Sequence, residues 1–362
     1  MSRRSATLAV SGLLLIAMVF AVLTTAVPYG ELSPGPTVNT LSPNYQGKPV
    51  IEVEGHETFP ASGHLNMTTV SVTSKSFDMP LFQAFIGWAK DDADVVKKND
   101  LYPDDKTEKQ VEEENAEEFT SSQQHAKVAA FDYLYANGLI SQPVTRHIIV
   151  KTVSKDMPAT GKLHAGDIIL SIDGTPIKTT GDVGAAITKH KAGETVRFVV
   201  DPEDARGTQR TIDITTTAAP QDGHAVVGIT PGVLPEFPFK VTIHLEDVGG
   251  PSAGLMFALG IVDILSPGDL TGGKFVAGTG TIDDDGGVGP IGGVQMKTIA
   301  AQRAGAKYFL TPADNCSEAV KNKPGGLTLV RVESLNDALN ALKVISSGQG
   351  TLTECTADTH NG

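Results

Sequence analysis

The fold is most constrained by a tight glycine-rich turn that leads directly into an almost wholly apolar segment. Residues 249–254 read GGPSAG, and the eleven residues from Leu255 to Leu265 carry one charge, at Asp263. A helix that is apolar on nearly every side is predicted to lie buried against other elements. The chain of 362 residues, 40% of them hydrophobic, is long enough to supply that core within roughly two or three domains.

Ser252 falls at the N-terminus of this predicted helix. Free backbone N–H groups and the helix dipole favour a developing negative charge there, which suits a nucleophile beside an oxyanion site. The small flanking residues that form the turn and the oxyanion region leave room for a substrate carbonyl: Gly250, Pro251, Ala253 and Gly254. The alternative is a serine that only caps a buried helix. Both interpretations fit this segment taken alone.

A serine nucleophile needs a base, and the sequence offers a lysine for this role. His244 lies eight residues before Ser252, without the spacing of a Ser-His-Asp triad. Lys297 lies at the start of an Ala-rich helix predicted over 298–305. Apolar neighbours and a positive helix end disfavour its charged form and lower its pKa, and a neutral lysine can accept the serine proton. The alternative is a solvated lysine at a helix end.

Four segments together resemble the proteolytic domain of the Lon family over about 230–345. They are Gly250–Gly254; Pro290–Gly293 with Lys297 four positions later; Ala300–Lys307 with Leu310–Pro312; and Ala277–Ile282. The resemblance implies an α/β domain that cleaves peptide bonds. It makes Ser252 the nucleophile, Lys297 the general base and Thr279 the residue that orients the lysine. Lon proteolytic domains form rings, so the resemblance allows a homo-oligomer, but no residue of the sequence decides the oligomeric state.

The sequence departs from the Lon pattern just before the serine. The family usually has an Asp where this chain has Gly249, and the acids Glu246 and Asp247 lie upstream in a shortened loop after His244. We therefore expect a different substrate rim and oxyanion hole.

Two further segments decide whether the sequence predicts a metal site or a nucleotide-binding loop. Asp283–Asp285 precedes Gly286, and adjacent strand residues point to alternate faces, so a solvated turn is favoured over a metal site. A phosphate-binding loop needs Gly-Lys-Ser/Thr, whereas Gly273-Lys274 is followed by Phe275. We expect no cofactor, no metal and no ATPase module.

A second resemblance, over about 139–220, is to bacterial PDZ domains. Its specific part is Met157–Gly174, which contains Pro158-Ala159, Gly166-Asp167-Ile168 and Ile172-Asp173-Gly174. It implies a small, mostly β domain that binds extended peptides by strand addition. No carboxylate-binding loop of the Gly-Leu-Gly-Phe kind is legible, so capture of C-termini or of internal segments stays open. A domain that only packs is the alternative.

The N-terminus predicts a membrane anchor. Arg3 and Arg4 precede Ala6–Val27, 22 residues without a charge. A helix of this length spans roughly 33 Å, and the arginines favour a cytoplasmic N-terminus with the bulk of the chain outside. A signal peptide cleaved near Thr24–Ala26 is the competing interpretation. Outside the cytosol, Cys316 and Cys355 are expected to pair, the alternative being two free thiols.

The charge of the chain is acidic and unevenly placed. Its net charge is −13, which disfavours nucleic acid as a partner. Asp91–Glu118 holds 12 acids and 4 Lys, and we interpret it as a solvated loop or helix face. The Pro-rich segment Pro28–Pro36 is typical of a linker, and the region from 40 to 138 is either a separate domain or a source of strands for another.

These observations give one predicted architecture and two functional hypotheses. The predicted parts are an anchor at 1–28, an N-terminal region at 29–138, a PDZ domain at 139–220, a Lon-type domain at 225–345 and a tail at 346–362. The first hypothesis is a membrane-anchored, ATP-independent serine endopeptidase whose PDZ domain recruits protein or peptide substrates outside the cytoplasm. The second is a PDZ adaptor whose Lon-like domain serves only packing or assembly.

Overall fold

The computed structural model describes residues 3–103, 105–245 and 248–357. The chain divides into two compact units. One unit combines the residues up to Ser141 with those from Phe239 onward, and the other is Gln142–Pro238. The second unit is therefore inserted into the sequence of the first.

The helices and strands are numbered in chain order. The helices are α1 (Arg3–Thr24), α2 (Leu81–Trp88), α3 (Lys98–Leu101), α4 (Glu108–Ala136), α5 (Thr180–Ile187), α6 (Gly254–Leu265), α7 (Val294–Ala304), α8 (Cys316–Ala319) and α9 (Leu335–Ser347). The strands are β1 (Ala26–Val27), β2 (Tyr29–Asn39), β3 (Ile51–Glu54), β4 (His64–Val72), β5 (Met79–Pro80), β6 (Asp94–Lys97), β7 (Thr145–Val153), β8 (Ile168–Ile172), β9 (Thr175–Pro176), β10 (Thr195–Asp201), β11 (Arg210–Thr215), β12 (Thr217–Ala218), β13 (Ala225–Val226), β14 (Ile229–Glu236), β15 (Lys240–Ile243), β16 (Phe275–Gly278), β17 (Thr281–Ile282), β18 (Val288–Gly289), β19 (Tyr308–Pro312) and β20 (Thr328–Val332).

The first unit is built on one sheet with the strand order β20-β19-β16-β4-β2-β6. The four strands from β20 to β4 run parallel, and β2 and β6 are antiparallel to their neighbours. Half of the sheet therefore comes from the N-terminal region, which is not a separate domain but supplies strands to the sheet of the predicted Lon-type domain. The predicted α/β fold is confirmed.

The Pro-rich segment is a strand rather than a linker. Pro34 and Pro36 lie in β2, where the pairing with β4 is irregular between Pro34 and Thr37. On its other side β2 pairs with β6 only over Tyr29–Leu32. Proline lacks an N–H, so it is tolerated at a bulge or where no neighbouring strand needs a donor.

Helices α6 and α7 cover opposite faces of the sheet. Ala277 of β16 packs in a cluster with Val294 and Ala301 of α7. The next residue, Gly278, faces α6, because a Cβ there would lie 2.7 Å from Met256 Sδ. Successive side chains on a strand point to opposite faces, so the two helices lie on either side of β16. Every residue of α6 except Ile264 is buried, as its apolar sequence predicts.

The acidic segment ends in a long helix that packs on α6. Helix α4 begins with a capping box between Thr107 and Gln110. Its first half carries the exposed glutamates, and its second half carries apolar residues, of which Phe131 and Leu134 are fully buried. Phe119 and Phe257 of α6 pack edge to face, with ring centroids 5.8 Å apart.

The inserted unit contains a sheet with the strand order β11-β10-β8-β7-β14, and α5 lies beside it. Ile169, Ile172, Phe198 and Ile214 are almost wholly buried in its core. Strand β14 pairs with β7 from Ile229 to Glu236. The predicted boundaries at 220 and 225 are therefore replaced by an end at Pro238, because β14 completes this sheet.

A long apolar helix at the start of the chain and a disulfide near its end were both predicted from the sequence. Helix α1 contains Thr7–Thr24, whose mean hydropathy is 2.4 and which is unburied; among the described helices it alone is long and apolar enough to cross a membrane. Near the other end, a disulfide joins Cys316 and Cys355. The backbone of Thr353 and Cys355 bonds to β20, so the tail covers that edge of the sheet.

The shared sheet predicts that the Lon-type segment does not fold alone. A protein comprising 225–357 lacks β2, β4 and α4, which leaves β16 unpaired on one side and α6 uncovered. We expect it to show no cooperative thermal unfolding by circular dichroism. The matched control is 142–238, which we expect to unfold cooperatively because its core is self-contained. A cooperative transition in 225–357 would contradict the prediction.

Candidate active site

Ser252 lies immediately before α6 and does not cap it. Ala253 occupies the capping position, and no side chain bonds to the first turn. Instead, Ser252 Oγ lies 2.7 Å from Lys297 Nζ. The Ser252 carbonyl accepts hydrogen bonds from the Gly280 N–H at 2.9 Å and from Thr279 Oγ1 at 3.0 Å. The end of β16 thus fixes the backbone of the serine while its hydroxyl remains available to the lysine.

Lys297 reaches Ser252 from α7, across the end of the sheet. The lysine is 3% exposed, and burial lowers its pKa from the ordinary value to about 8. Its Nζ also lies 3.2 Å from Thr279 Oγ1. The structure thus brings Ser252, Thr279 and Lys297, all predicted from the sequence, into direct contact. A lysine with this pKa is substantially neutral at slightly alkaline pH and can accept a proton.

Ser252 and Lys297 border a cleft of about 240 Å³ at the carboxyl end of β16. Strand β4 pairs with β16 only as far as Met67, opposite Gly278. Its continuation, Thr68–Ser71, lines the cleft opposite Gly249 and Gly250. Among the described residues no strand pairs with this edge of β4 beyond Met67, so its backbone is open to an extended peptide.

Helix α4 holds the turn before the nucleophile, a contact that was not predicted from the sequence. Ser122 Oγ donates to the Pro251 carbonyl at 2.8 Å, and the Gly250 N–H donates to the Asn115 carbonyl at 2.9 Å. Gly250 adopts a φ of 81°, which favours glycine. Ser122 and Asn115 are seven residues apart, on one face of a helix, and that spacing is the one local signal for this role.

The acidic residues near the site make a turn and a hydrogen bond to a histidine. Asp283 Oδ1 accepts from the backbone N–H groups of Asp285 and Gly287, and Asp284 pairs with His125 Nδ1 at 2.7 Å. The described residues contain no group of three His, Cys, Asp or Glu side chains placed to hold a metal ion. Glu246 and Asp247, expected to alter the substrate rim, lie outside the described residues.

The inserted unit has an apolar groove of about 370 Å³ beside α5. One wall contains Val183, Gly184 and Ile187 of α5. The other contains the run Val226-Val227-Gly228-Ile229, which leads into β14. Gly228 adopts a φ of 82°. This run was not recognised in the sequence, although a short apolar segment around a glycine has the character expected of a carboxylate-binding loop.

Comparisons with known proteins give the two units separate relationships. Residues 239–344 match the model of the Lon protease (S16) C-terminal proteolytic domain, and residues 125–214 match that of a PDZ domain. The PDZ domain of the SdrC-like protein from Listeria monocytogenes is 34% identical, with a TM-score of 0.22, over 24% of this chain and 86% of that one.

Curated relatives match the C-terminal part. The Lon protease of Azospirillum brasilense is 40% identical over 117 residues, which are 30% of this chain and 14% of that protein. Lon protease 2 of Bacillus subtilis is 36% identical over 114 residues, 30% of this chain and 20% of that protein. The chain therefore spans a fifth or less of the length of these two relatives.

Burial of the charged Lys297 amine lowers the free energy of unfolding, and we expect a neutral side chain at this position to restore it. The pKa of Lys297 is about 8 in the folded chain, against about 10.4 for an unfolded lysine, so the unfolded state binds more protons between these values. Stability therefore rises with pH across that window. We expect Lys297→Met to raise the free energy of unfolding by about 1–3 kcal/mol at pH 7.

Urea denaturation at several pH values measures this effect. The gain of Lys297→Met over the parent protein should shrink as the pH passes 8 and vanish near 10.5. Lys343→Met, at an exposed position on α9, is the control and should show no such trend. An equal gain at every pH would contradict the prediction.

Proposed function

We propose that the chain is an ATP-independent serine endopeptidase, on the premise that residues 239–344 match the proteolytic domain of the Lon family. Ser252 is its nucleophile and Lys297 its general base. The observation that carries the proposal is the 2.7 Å contact between Ser252 Oγ and Lys297 Nζ, made by a lysine whose pKa burial lowers to about 8. Nucleophile and base within hydrogen-bond reach are what an activated serine requires.

The reaction begins when Ser252 Oγ attacks the peptide carbonyl carbon and neutral Lys297 takes the hydroxyl proton. The carbonyl oxygen becomes an oxyanion, which we place at the backbone N–H groups of Ser252 and Ala253, both at the cleft. Collapse of this intermediate breaks the C–N bond, and the lysine gives its proton to the leaving amine. Water then attacks the acyl-enzyme, again losing a proton to Lys297, and Ser252 regains its proton.

Thr279 positions the lysine rather than reacting itself. Its hydroxyl donates to the Ser252 carbonyl, so an oxygen lone pair remains for Lys297 Nζ at 3.2 Å. Thr279 is fully buried, which holds this geometry in one rotamer.

The substrate is an extended or unfolded segment. The open edge of β4 at Thr68–Ser71 lies along the cleft, where a peptide can add as a strand beside Ser252. The sequence carries no phosphate-binding loop with which to pull a folded protein apart. In the PDZ unit, the groove beside α5 recruits protein or peptide segments.

We place the two units outside the cytoplasm, held by α1 in the membrane. The helix is 22 residues long and Arg3 and Arg4 precede its apolar span, which favours retention of the N-terminus in the cytoplasm. A disulfide between Cys316 and Cys355 suits an oxidising compartment.

Cleavage of an unfolded, casein-like protein without ATP tests the proposal. The full chain in detergent should produce fragments detectable by mass spectrometry, and Ser252→Ala or Lys297→Ala should lower the rate by about 10³-fold or more. The rate of the parent protein should rise through a pKa of about 8. Ser74→Ala and Lys343→Ala, both exposed, are matched controls.

Undiminished cleavage by Ser252→Ala would refute the assigned nucleophile. An intact fold with no cleavage of any unfolded protein, and no labelling of Ser252 by a fluorophosphonate, would favour the adaptor hypothesis.

The PDZ groove predicts a separate loss of recruitment. A Cβ at Gly184 meets no atom within 4 Å, so Gly184→Leu fills the groove without strain and improves helix propensity. We expect it to weaken binding of apolar peptides to the 142–238 unit by about tenfold or more, without lowering its melting temperature. Fluorescence anisotropy with free and amidated C-termini measures this. Gly181→Leu, outside the groove lining, is the control.

A further inference from the structure

Helix α2 presents three of its large apolar side chains to the outside. Phe85, Ile86 and Trp88 are 56%, 47% and 52% exposed. Its small residues face inward: Ala84 and Gly87 are buried, and a Cβ on Gly87 would lie 2.4 Å from Val95 Cγ2 of β6. A helix on the surface of a soluble domain has the opposite arrangement. Contiguous exposed apolar residues of this kind mark an interaction surface.

The same helix is tied to the end of α1. Strand β1 follows α1 and pairs with β5, which precedes α2, through Ala26–Pro80 and Val27–Met79. The Leu81 N–H, at the start of α2, donates to the Thr25 carbonyl at 2.9 Å. The first residue of α2 is therefore bonded to the residue that follows α1. The exposed face is continuous with the apolar helix rather than isolated on the protein surface.

Because α2 is short, its aromatic side chains lie close to the end of α1. Eight helical residues extend about 12 Å, so no part of α2 lies farther than that from its first residue. Trp88 contacts Tyr29 and Phe85 edge to face, with centroid distances of 5.5 and 5.7 Å. Tryptophan and tyrosine concentrate where a bilayer meets water, because their rings are apolar and their N–H or O–H groups are polar.

We propose that α2 lies in the interfacial layer of the bilayer, with Phe85, Ile86 and Trp88 in contact with lipid. This inference rests on the proposed membrane anchoring by α1. Lys90 is followed by Asp91 and Asp92, so the flank of α2 carries both signs of charge. Contact is therefore apolar and does not require anionic lipid. The outer end of the sheet, where β6 packs on α2, is held at the membrane by this second attachment.

Trp88 is the only tryptophan in the chain and reports on this contact directly. The experiment uses the full chain in phosphatidylcholine vesicles, with flotation to verify insertion. Fluorescence is then quenched from the lipid side by brominated acyl chains and from the water side by iodide.

A matched reference carries its tryptophan elsewhere, as Trp88→Phe with Tyr45→Trp. Tyr45 is 74% exposed and follows β2, whose 11 residues extend about 36 Å from the anchored end.

We expect brominated lipid to quench the fluorescence of Trp88 at every protein-to-lipid ratio. Iodide should quench it severalfold less than it quenches the reference tryptophan. Equal iodide quenching of the two would overturn the contact with lipid. Protection from iodide without bromine quenching would also overturn it, in favour of a protein partner or a second copy of the chain.

Flotation and cleavage keep this result separate from the proposed function. A chain that does not float with the vesicles overturns both the anchoring and the lipid contact. A chain that floats with Trp88 in water refutes the lipid contact alone. Casein cleavage in the same vesicles reports on Ser252 and Lys297 independently.

Discussion

The contact between a buried lysine amine and a serine hydroxyl is the interaction on which the arrangement of the first unit depends. Removing the Lys297 amine from water destabilises its charged form and lowers its pKa to about 8, so the amine is substantially neutral at slightly alkaline pH. Three separate segments must meet to achieve it: α7 carries the lysine, the end of β16 carries Thr279, and the turn before α6 carries Ser252. A shift of any one would break the contact between Ser252 Oγ and Lys297 Nζ.

The site extends beyond the segment that resembles known proteolytic domains. Residues 239–344 supply Ser252, Thr279 and Lys297, but the cleft wall is β4 and the turn before the serine is held by α4. Both come from the N-terminal half of the chain. One face of α4 thus supports the turn, through Asn115 in the acidic segment and Ser122 four residues after its end, while the glutamates on the other faces are exposed.

The sequence allowed prediction of those parts that have local signals. The glycine-rich turn, the apolar run of α6 and the spacing to Lys297 lie within short segments, and the structure brings their residues together. Strand pairing across long separations has no local signal, so the membership of β2, β4 and β6 in the sheet was open. Two strands, β2 and β14, were not predicted because they contain proline. Pro34 and Pro36 made β2 resemble a linker. Pro231 and Pro235 lie in β14, an edge strand where a missing N–H is tolerated.

The insertion of the PDZ-type unit has a consequence for the order in which the chain is built. About 200 residues separate β4 from β16, its parallel neighbour, so at 5–20 residues per second β16 is synthesised roughly 10 to 40 s later. During that interval Leu65 and Met67, which end fully buried, have only the N-terminal strands beside them. The inserted unit is contiguous and can complete its own core meanwhile. The nascent chain therefore passes through a state with one finished unit and half an open sheet, and exposed apolar strands make this the state most prone to aggregation.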